Sequence, residues 1–242
     1  MRKEVIRDAT LYLADCRELL PSIEADCIVT DPPYGVTSLA WDRTVDGWSE
    51  LLCARQMWCF GSMRFFLGAT FPGWSYAQEI VWEKHNGSMF HADRFKRVHE
   101  FALHFYRGEW GSLYLCPQTT PDATARTTRR KQRPAHSGHI GAAAYASEDG
   151  GPRMMRSVIY QRSMHGSAVH PTQKPVEILA PLIEYSCPPG GVVLDCFGGS
   201  FSTGVAALQA GRRFVGIEVD PERFDIGCRN LEDSMRQERL IA

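Results

Sequence analysis

VVLDCFGGSFSTGVAALQAGRRFVGIE, residues 192–218, decides the fold. Val192-Val193-Leu194 is an apolar run that reads as a buried strand, and it ends on Asp195. The glycine turn Gly198-Gly199 follows, then a helix from about Thr203 to Ala210, with Gly211 placed to cap it. Phe214-Val215-Gly216-Ile217 reads as the next strand and ends on Glu218. Strand, glycine turn, helix, strand and acid make a βαβ unit of a parallel sheet. Glu218 follows Asp195 by 23 residues. That is near the spacing of about 20 at which an acid meets a ribose hydroxyl. The stretch has no G-x-G-x-x-G cradle, which disfavours a pyrophosphate-bearing cofactor.

Upstream, Val176, Leu179, Leu182 and Ile183 share one face of a helix entered at Pro175 and broken by Pro188-Pro189-Gly190-Gly191. Downstream, Pro221 opens a final amphipathic helix. Further strands are expected at Leu11–Leu13, Cys27–Thr30, Met57–Phe60, Gln78–Trp82, Phe101–Tyr106 and Val158–Tyr160. Residues 108–156, rich in Gly, Thr, Pro, Arg and Ala, read as a loop-rich, partly mobile insert within one domain spanning 1–242.

The chain has 242 residues, 44% hydrophobic and 23% charged, which suits one sizeable core. A net charge of -1 excludes a uniformly basic nucleic-acid binder. Basic residues instead concentrate at Arg126, Arg129, Arg130, Lys131 and Arg133, a stretch able to neutralise phosphates. A solvated loop is the bland alternative. The eight cysteines form no C-x-x-C pair, so zinc is not expected and the thiols read as reduced. With no 18-residue apolar run and no signal-like start, the expected location is cytoplasmic. The histidines suggest no metal site.

Asp31-Pro32-Pro33-Tyr34-Gly35 closes the Cys27–Thr30 strand at the end where open α/β sheets place ligands. A carboxylate, two rigid prolines and an exposed aromatic meet there. This motif resembles the [DNS]-P-P-[YFW] signature of S-adenosylmethionine-dependent DNA amino-methyltransferases. Asp195 to Thr203 is similar to their cofactor loop D-P-F-x-G-S-G-T, with Cys196 in place of proline and Phe201 in place of glycine. His170-Pro171-Thr172-Gln173-Lys174-Pro175 resembles their H-P-[TA]-x-K-P segment.

The resemblance covers roughly residues 10–107 and 157–235. It implies a Rossmann-like methyltransferase fold with a mostly parallel, doubly wound sheet. The catalytic motif precedes the cofactor loop, which is the circularly permuted β class, and residues 108–156 become a short target-recognition insert. It further implies that Asp31 and the carbonyl of Pro32 accept the two N–H groups of an exocyclic base amine. Pro33 stiffens the loop, and Tyr34 stacks on the flipped base.

S-adenosylmethionine is the implied cofactor. Its implied contacts are Asp15, Cys16, Asp195, Phe197, Gly198, Gly199, Ser200, Thr203 and Glu218, with Thr172 and Lys174 at the methionyl end. Double-stranded DNA is the implied partner, contacted by Arg126, Arg129, Arg130, Lys131 and Arg133. The class resemblance leaves open a homodimer and a cognate restriction endonuclease as further partners.

The expected reaction is methylation of adenine N6. N4-cytosine methylation is the close alternative, and its enzymes more often carry serine in place of Asp31. Phe201 keeps open a catalytically weak DNA-binding relative. Cytosine-C5 chemistry is disfavoured, because no Pro-Cys pair occurs. RNA or a protein amide as acceptor fits the aspartate less well.

Overall fold

The computed structural model describes residues 1–35, 42–88, 92–130, 143–164 and 173–241. Met1–Cys116 and Ser157–Ala242 form one compact unit, and Pro117–Arg156 forms a second.

The first unit is built on nine strands: β1 (Arg2–Ile6), β2 (Ala9–Leu13), β3 (Cys27–Thr30), β4 (Gln56–Gly61), β5 (Ser75–Ser88), β6 (Arg97–Tyr106), β11 (Val158–Tyr160), β12 (Val192–Asp195) and β13 (Arg213–Glu218). Their order in the sheet is β1-β2-β13-β12-β3-β4-β6-β5-β11. The run β2, β13, β12, β3, β4 is parallel throughout, so five strands end at one edge. β6 runs antiparallel to both β4 and β5, and β1 antiparallel to β2.

Helices cover both faces, as the apolar central strands require. They are α1 (Cys16–Leu19), α2 (Met63–Gly68), α3 (Val176–Ser186), α4 (Ser202–Gln209) and α5 (Pro221–Ile241). Neighbouring residues on a strand point to opposite faces. Val29, Val193 and Phe214 accordingly join Ile178, Ile183, Ala206 and Phe224 in one core cluster. Ile28, Leu194 and Ile217 join Cys16, Leu20, Met57 and Trp48 in the other.

Two features depart from the sequence reading. Arg2–Ile6 forms a strand that pairs antiparallel with β2. The second unit also carries paired strands: β7 (Thr119–Thr120) with β10 (Arg153–Met154), and β8 (Arg126–Arg130) with β9 (Ala143–Ser147). Its base is tied by Ala123 N–H to Gly151 O at 3.1 Å and Gly150 N–H to Ala123 O at 2.8 Å. β-branched Thr127 and Thr128 favour the extended ladder there.

Candidate active site

Parallel alignment gathers four acids at one sheet edge: Asp15 after β2, Glu218 ending β13, Asp195 ending β12 and Asp31 after β3. Leu194 is paired with Ile28, so the tips beyond β12 and β3 are neighbours. The Thr30 hydroxyl donates to Asp195 Oδ1 at 2.8 Å and accepts from the Cys196 N–H at 3.3 Å. Phe197 N–H donates to the same Asp195 oxygen at 3.1 Å. Burial pushes the Asp195 carboxyl up to about 6, although Thr30, Thr203 and the Phe197 N–H each hydrogen-bond it and favour its ionised form.

The glycine turn is fastened to the neighbouring strand. Gly198 N–H donates to Ile217 O at 2.7 Å. Gly199, at a φ of +51°, donates its N–H to Glu218 Oε2 at 2.7 Å. The other Glu218 oxygen accepts from Val219 and Asp220 N–H, both at 2.9 Å. Three of about four acceptor directions on that carboxylate are thus taken. Val219 beside it is 68% exposed, an apolar wall next to an acid. Space is open beside Gly199, where an added Cβ would meet nothing within 4 Å. Ser200 and Thr203 are buried, and Asn230 holds Ser200 O at 2.7 Å.

Phe201 also takes a left-handed backbone, with φ at +50°. Its ring is fully buried and turns into the core, edge-on to Phe214 and Phe224 at centroid distances of 6.2 and 5.9 Å. Glycines make its room. A Cβ on Gly216 or Gly227 would stand 2.7 or 2.5 Å from the ring, and one on Gly198 would collide with it. Phe197 packs on the opposite side of the sheet, edge-on to Trp48 at 5.2 Å.

The Asp31 loop is equally built. Pro32 is buried, and Gly35 N–H donates to Asp42 Oδ1 at 2.8 Å. Tyr34, expected exposed, is half-buried, because each end of its side chain has a partner. Its hydroxyl donates to Asp31 Oδ1, and its ring lies 5.2 Å from that of Phe65 on α2. Burial and the Asp31 carboxylate hold the Tyr34 phenol well above its ordinary range, so it stays a donor.

Lys174 Nζ donates to Asp31 Oδ2 and lies 3.5 Å from Glu100 Oε2. Lys84 bonds the other Glu100 oxygen. Burial pulls the Lys174 ammonium down, but Asp31 and Glu100 together carry it above the usual lysine value. Burial pushes Glu100 up, yet the two lysines bring it to about 2. Lys174 thus meets two protein carboxylates, where the resemblance implied a cofactor carboxylate.

Asp15 caps α1, accepting the Arg17 N–H at 3.0 Å, and pairs with the Arg17 guanidinium at 2.7 Å. Cys16 is buried, and burial pushes its thiol up to about 12, so it is no nucleophile. Arg126 and Arg129 are both exposed on β8, three residues apart and therefore on opposite faces of the ribbon. Thr172, Lys131 and Arg133, and the side chain of Arg130, lie outside the described residues. Among the described residues no group of three or more His, Cys, Asp or Glu is placed to hold a metal. No described helix is long and apolar enough to cross a membrane.

Thr30 and Val219 are not singled out by the sequence, and Trp82-Glu83-Lys84 and His99-Glu100-Phe101, which resemble the family's later sheet strands, read there as scaffold. That Lys84 and Glu100 pair across the two strands needs the strand register to be read.

The family model for N6/N4 DNA methylases matches residues 54–228, nearly three quarters of the chain. The chain belongs to the N6/N4 DNA methylase family. The matched span takes in Glu100, Lys174, Asp195–Thr203 and Glu218 and begins downstream of Asp31. The methylase is 28% identical over 249 residues to DNA adenine methyltransferase YhdJ of Escherichia coli K12, covering 91% of this chain and 80% of that one. Its fold is shared with the M1.HpyAVI–SAM complex, at a TM-score of 0.59, 24% identity and coverage of 92% and 98%. PvuII DNA methyltransferase, cytosine-N4-specific, also shares it, at a TM-score of 0.60, 14% identity and coverage of 95% and 90%.

Proposed function

We propose that this methylase transfers a methyl group from S-adenosylmethionine to the N6 amine of an adenine flipped out of duplex DNA. The observation that carries the reading is the 2.8 Å bond between Thr30 and Asp195. It fastens the carboxylate-bearing tip Asp31–Tyr34 beside the glycine turn.

The residues present suit this cofactor. It has no phosphate to cradle, and the turn offers none of the phosphate-binding glycine pattern. Glu218 keeps one acceptor direction for a ribose hydroxyl. Val219 offers an apolar surface to a flat base, and the opening beside Gly199 admits close approach. Asp195, Phe197, Gly198, Ser200 and Thr203 shape the turn, Asp15 and Cys16 stand at the neighbouring tip, and Thr172 serves the methionyl end. When bound, S-adenosylmethionine supplies a sulfonium methyl, an electrophile that an amine attacks without an enzyme-bound intermediate.

The remaining chemistry belongs to the chain. An exocyclic base amine is a weak nucleophile, because its lone pair is delocalised into the ring. Asp31 accepts one amine N–H and the Pro32 carbonyl accepts the other, which favours a pyramidal nitrogen with its lone pair free. The rigid proline pair sets both acceptors in advance, the kind of preorganisation that does most for rate. After transfer the nitrogen carries a surplus proton, and the Asp31 carboxylate is the nearest base to take it. Extruding a base costs a few kcal/mol. Stacking on Tyr34, itself backed by Phe65, returns about 1–3 kcal/mol.

Adenine is favoured over cytosine by the aspartate at position 31 and by the name of the YhdJ relative. In this reading the whole chain is one methyltransferase domain. Its insert carries Arg126, Arg129, Arg130, Lys131 and Arg133 to DNA phosphates, contacts that position without reading sequence.

The test is to methylate duplex DNA with the purified protein, digest it to nucleosides and identify the modified base. N6-methyl-2′-deoxyadenosine is expected. N4-methyl-2′-deoxycytidine would replace the adenine assignment, and unmodified DNA would refute the reading.

A further inference from the structure

Four alternating charges form a chain from the Asp31 tip: Asp31, Lys174, Glu100 and Lys84. Lys174 is buried, and Lys84 and Glu100 side chains are mostly buried, at 20% and 18% exposure. Both oxygens of Asp31 are occupied, one by the Tyr34 hydroxyl and the other by the Lys174 ammonium. Glu100 is used differently. Its Oε1 bonds Lys84, while its buried Oε2 has no hydrogen-bond partner and faces the Lys174 ammonium across 3.5 Å. That oxygen is already ion-paired with the ammonium, so Glu100 is a second acceptor toward which Lys174 can shift.

We propose that Glu100 is a positioning residue for the transfer step: it draws the Lys174 ammonium away from Asp31, so that Asp31 Oδ2 is free to accept the N–H of the target amine. The inference rests on the function proposed above. No proton changes hands in the exchange. Lys174 stays an ammonium, Glu100 and Asp31 stay carboxylates, and only the hydrogen-bond partners change. Lys84 anchors Glu100 from its far side, with its ammonium 4.3 Å over the Trp82 ring. Phe60 supports Lys174 in the same way at 5.2 Å. A lysine held by aromatic faces and shared between two acids can change acceptor with little movement. Without Glu100, Lys174 has Asp31 alone and stays on it, competing with the substrate.

The experiment compares Glu100→Gln with the wild type at saturating S-adenosylmethionine and duplex DNA. Single-turnover methyl transfer is expected to fall at least tenfold, with dissociation constants for cofactor and DNA within threefold. Glu100→Asp is expected to recover part of the rate. Lys84→Met/Glu100→Gln removes one charge of each sign, so it keeps the local balance should the single variant fold poorly, and it is expected to show the same slow transfer. The decisive readout is a double-mutant cycle. In a Lys174→Met background, Glu100→Gln is expected to slow transfer no further, because its effect runs through that ammonium. Wild-type single-turnover rates in the variants, a loss expressed only as weaker binding, or additive losses in the Lys174→Met background would each overturn the proposal. If Asp31→Ala itself methylates normally, the failure belongs to the underlying functional reading instead.

Discussion

Thr30 and Asp195 are 165 residues apart in the chain, yet the Thr30 hydroxyl donates to the buried Asp195 carboxylate at 2.8 Å. The same hydroxyl accepts from Cys196 N–H, so one side chain ties two strand tips together. The Asp31 loop begins at the residue after Thr30, and the glycine turn begins shortly after Asp195. In the proposed reaction the spacing between base and cofactor is therefore set by the sheet.

Thr30→Val keeps the shape and removes the tie. Asp195 loses a donor, and Cys196 N–H loses its acceptor. Stability is expected to fall by about 1–3 kcal/mol, the usual loss on stranding buried polar groups. Calorimetry should show weaker binding of S-adenosylmethionine, because the turn is no longer pinned. Unchanged urea unfolding together with unchanged affinity would show that the bond is incidental.

Phe201 and Gly198 fit as a pair. Gly198→Ala drives a methyl group into the Phe201 ring, and overpacking of this kind costs about 1–3 kcal/mol. Phe201→Gly empties a buried site at about 3–5 kcal/mol, offset by about 1–2 kcal/mol from relief of its left-handed backbone. In the Phe201→Gly background, Gly198→Ala is expected to be nearly neutral, because the atoms it meets are those of that ring. Urea unfolding of the four proteins measures the coupling; simple additivity would contradict the fit.

His104 and Asp195 respond to acid with opposite sign. His104 is buried and stacked on Trp58 with centroids 4.5 Å apart, and burial lowers its pKa to about 4. Its folded value lies below the unfolded 6.5, so its contribution is full above pH 6.5 and is lost as pH falls through 4. For Asp195, burial raises the folded value from 3.8 to about 6. Its contribution is therefore full below pH 3.8 and is lost as pH rises through 6. Each amounts to about 3 kcal/mol, so the two nearly cancel between pH 4 and 6. His104→Phe removes one of them. The stability gap, variant minus wild type, is expected to widen by about 3 kcal/mol as pH falls from 6.5 to 4. Urea unfolding at three pH values checks this, and a gap independent of pH would contradict it.

The centre of the fold was legible because its strands are buried on both faces. Cys27–Thr30 and Val192–Asp195 are apolar runs ended by Pro32-Pro33 and by Gly198-Gly199, and punctuation of that kind survives without a structure. β1 was not legible, because Arg2–Ile6 is mostly exposed and is held by pairing with β2 instead of by burial. The ribbon of β8 and β9 was hidden for the same reason. At the site, motif residues announced themselves by type. Glu100 and Lys84 did not, since their meaning depends on a register between β5 and β6 that carries a bulge. The Phe201 ring finds its room beside Gly198, Gly216 and Gly227, whose roles appear only once the ring's direction is known.

The most direct test of the central claim is methyl transfer to duplex DNA by Asp31→Ala, with the affinity for S-adenosylmethionine measured on the same preparation. Loss of at least about a hundredfold in kcat is expected, on the scale seen when one preorganised polar group is removed from the reacting atoms. Cofactor binding should stay within threefold, because the glycine turn proposed to hold the cofactor is built on β12 and β13. Near wild-type turnover in that variant would contradict the account.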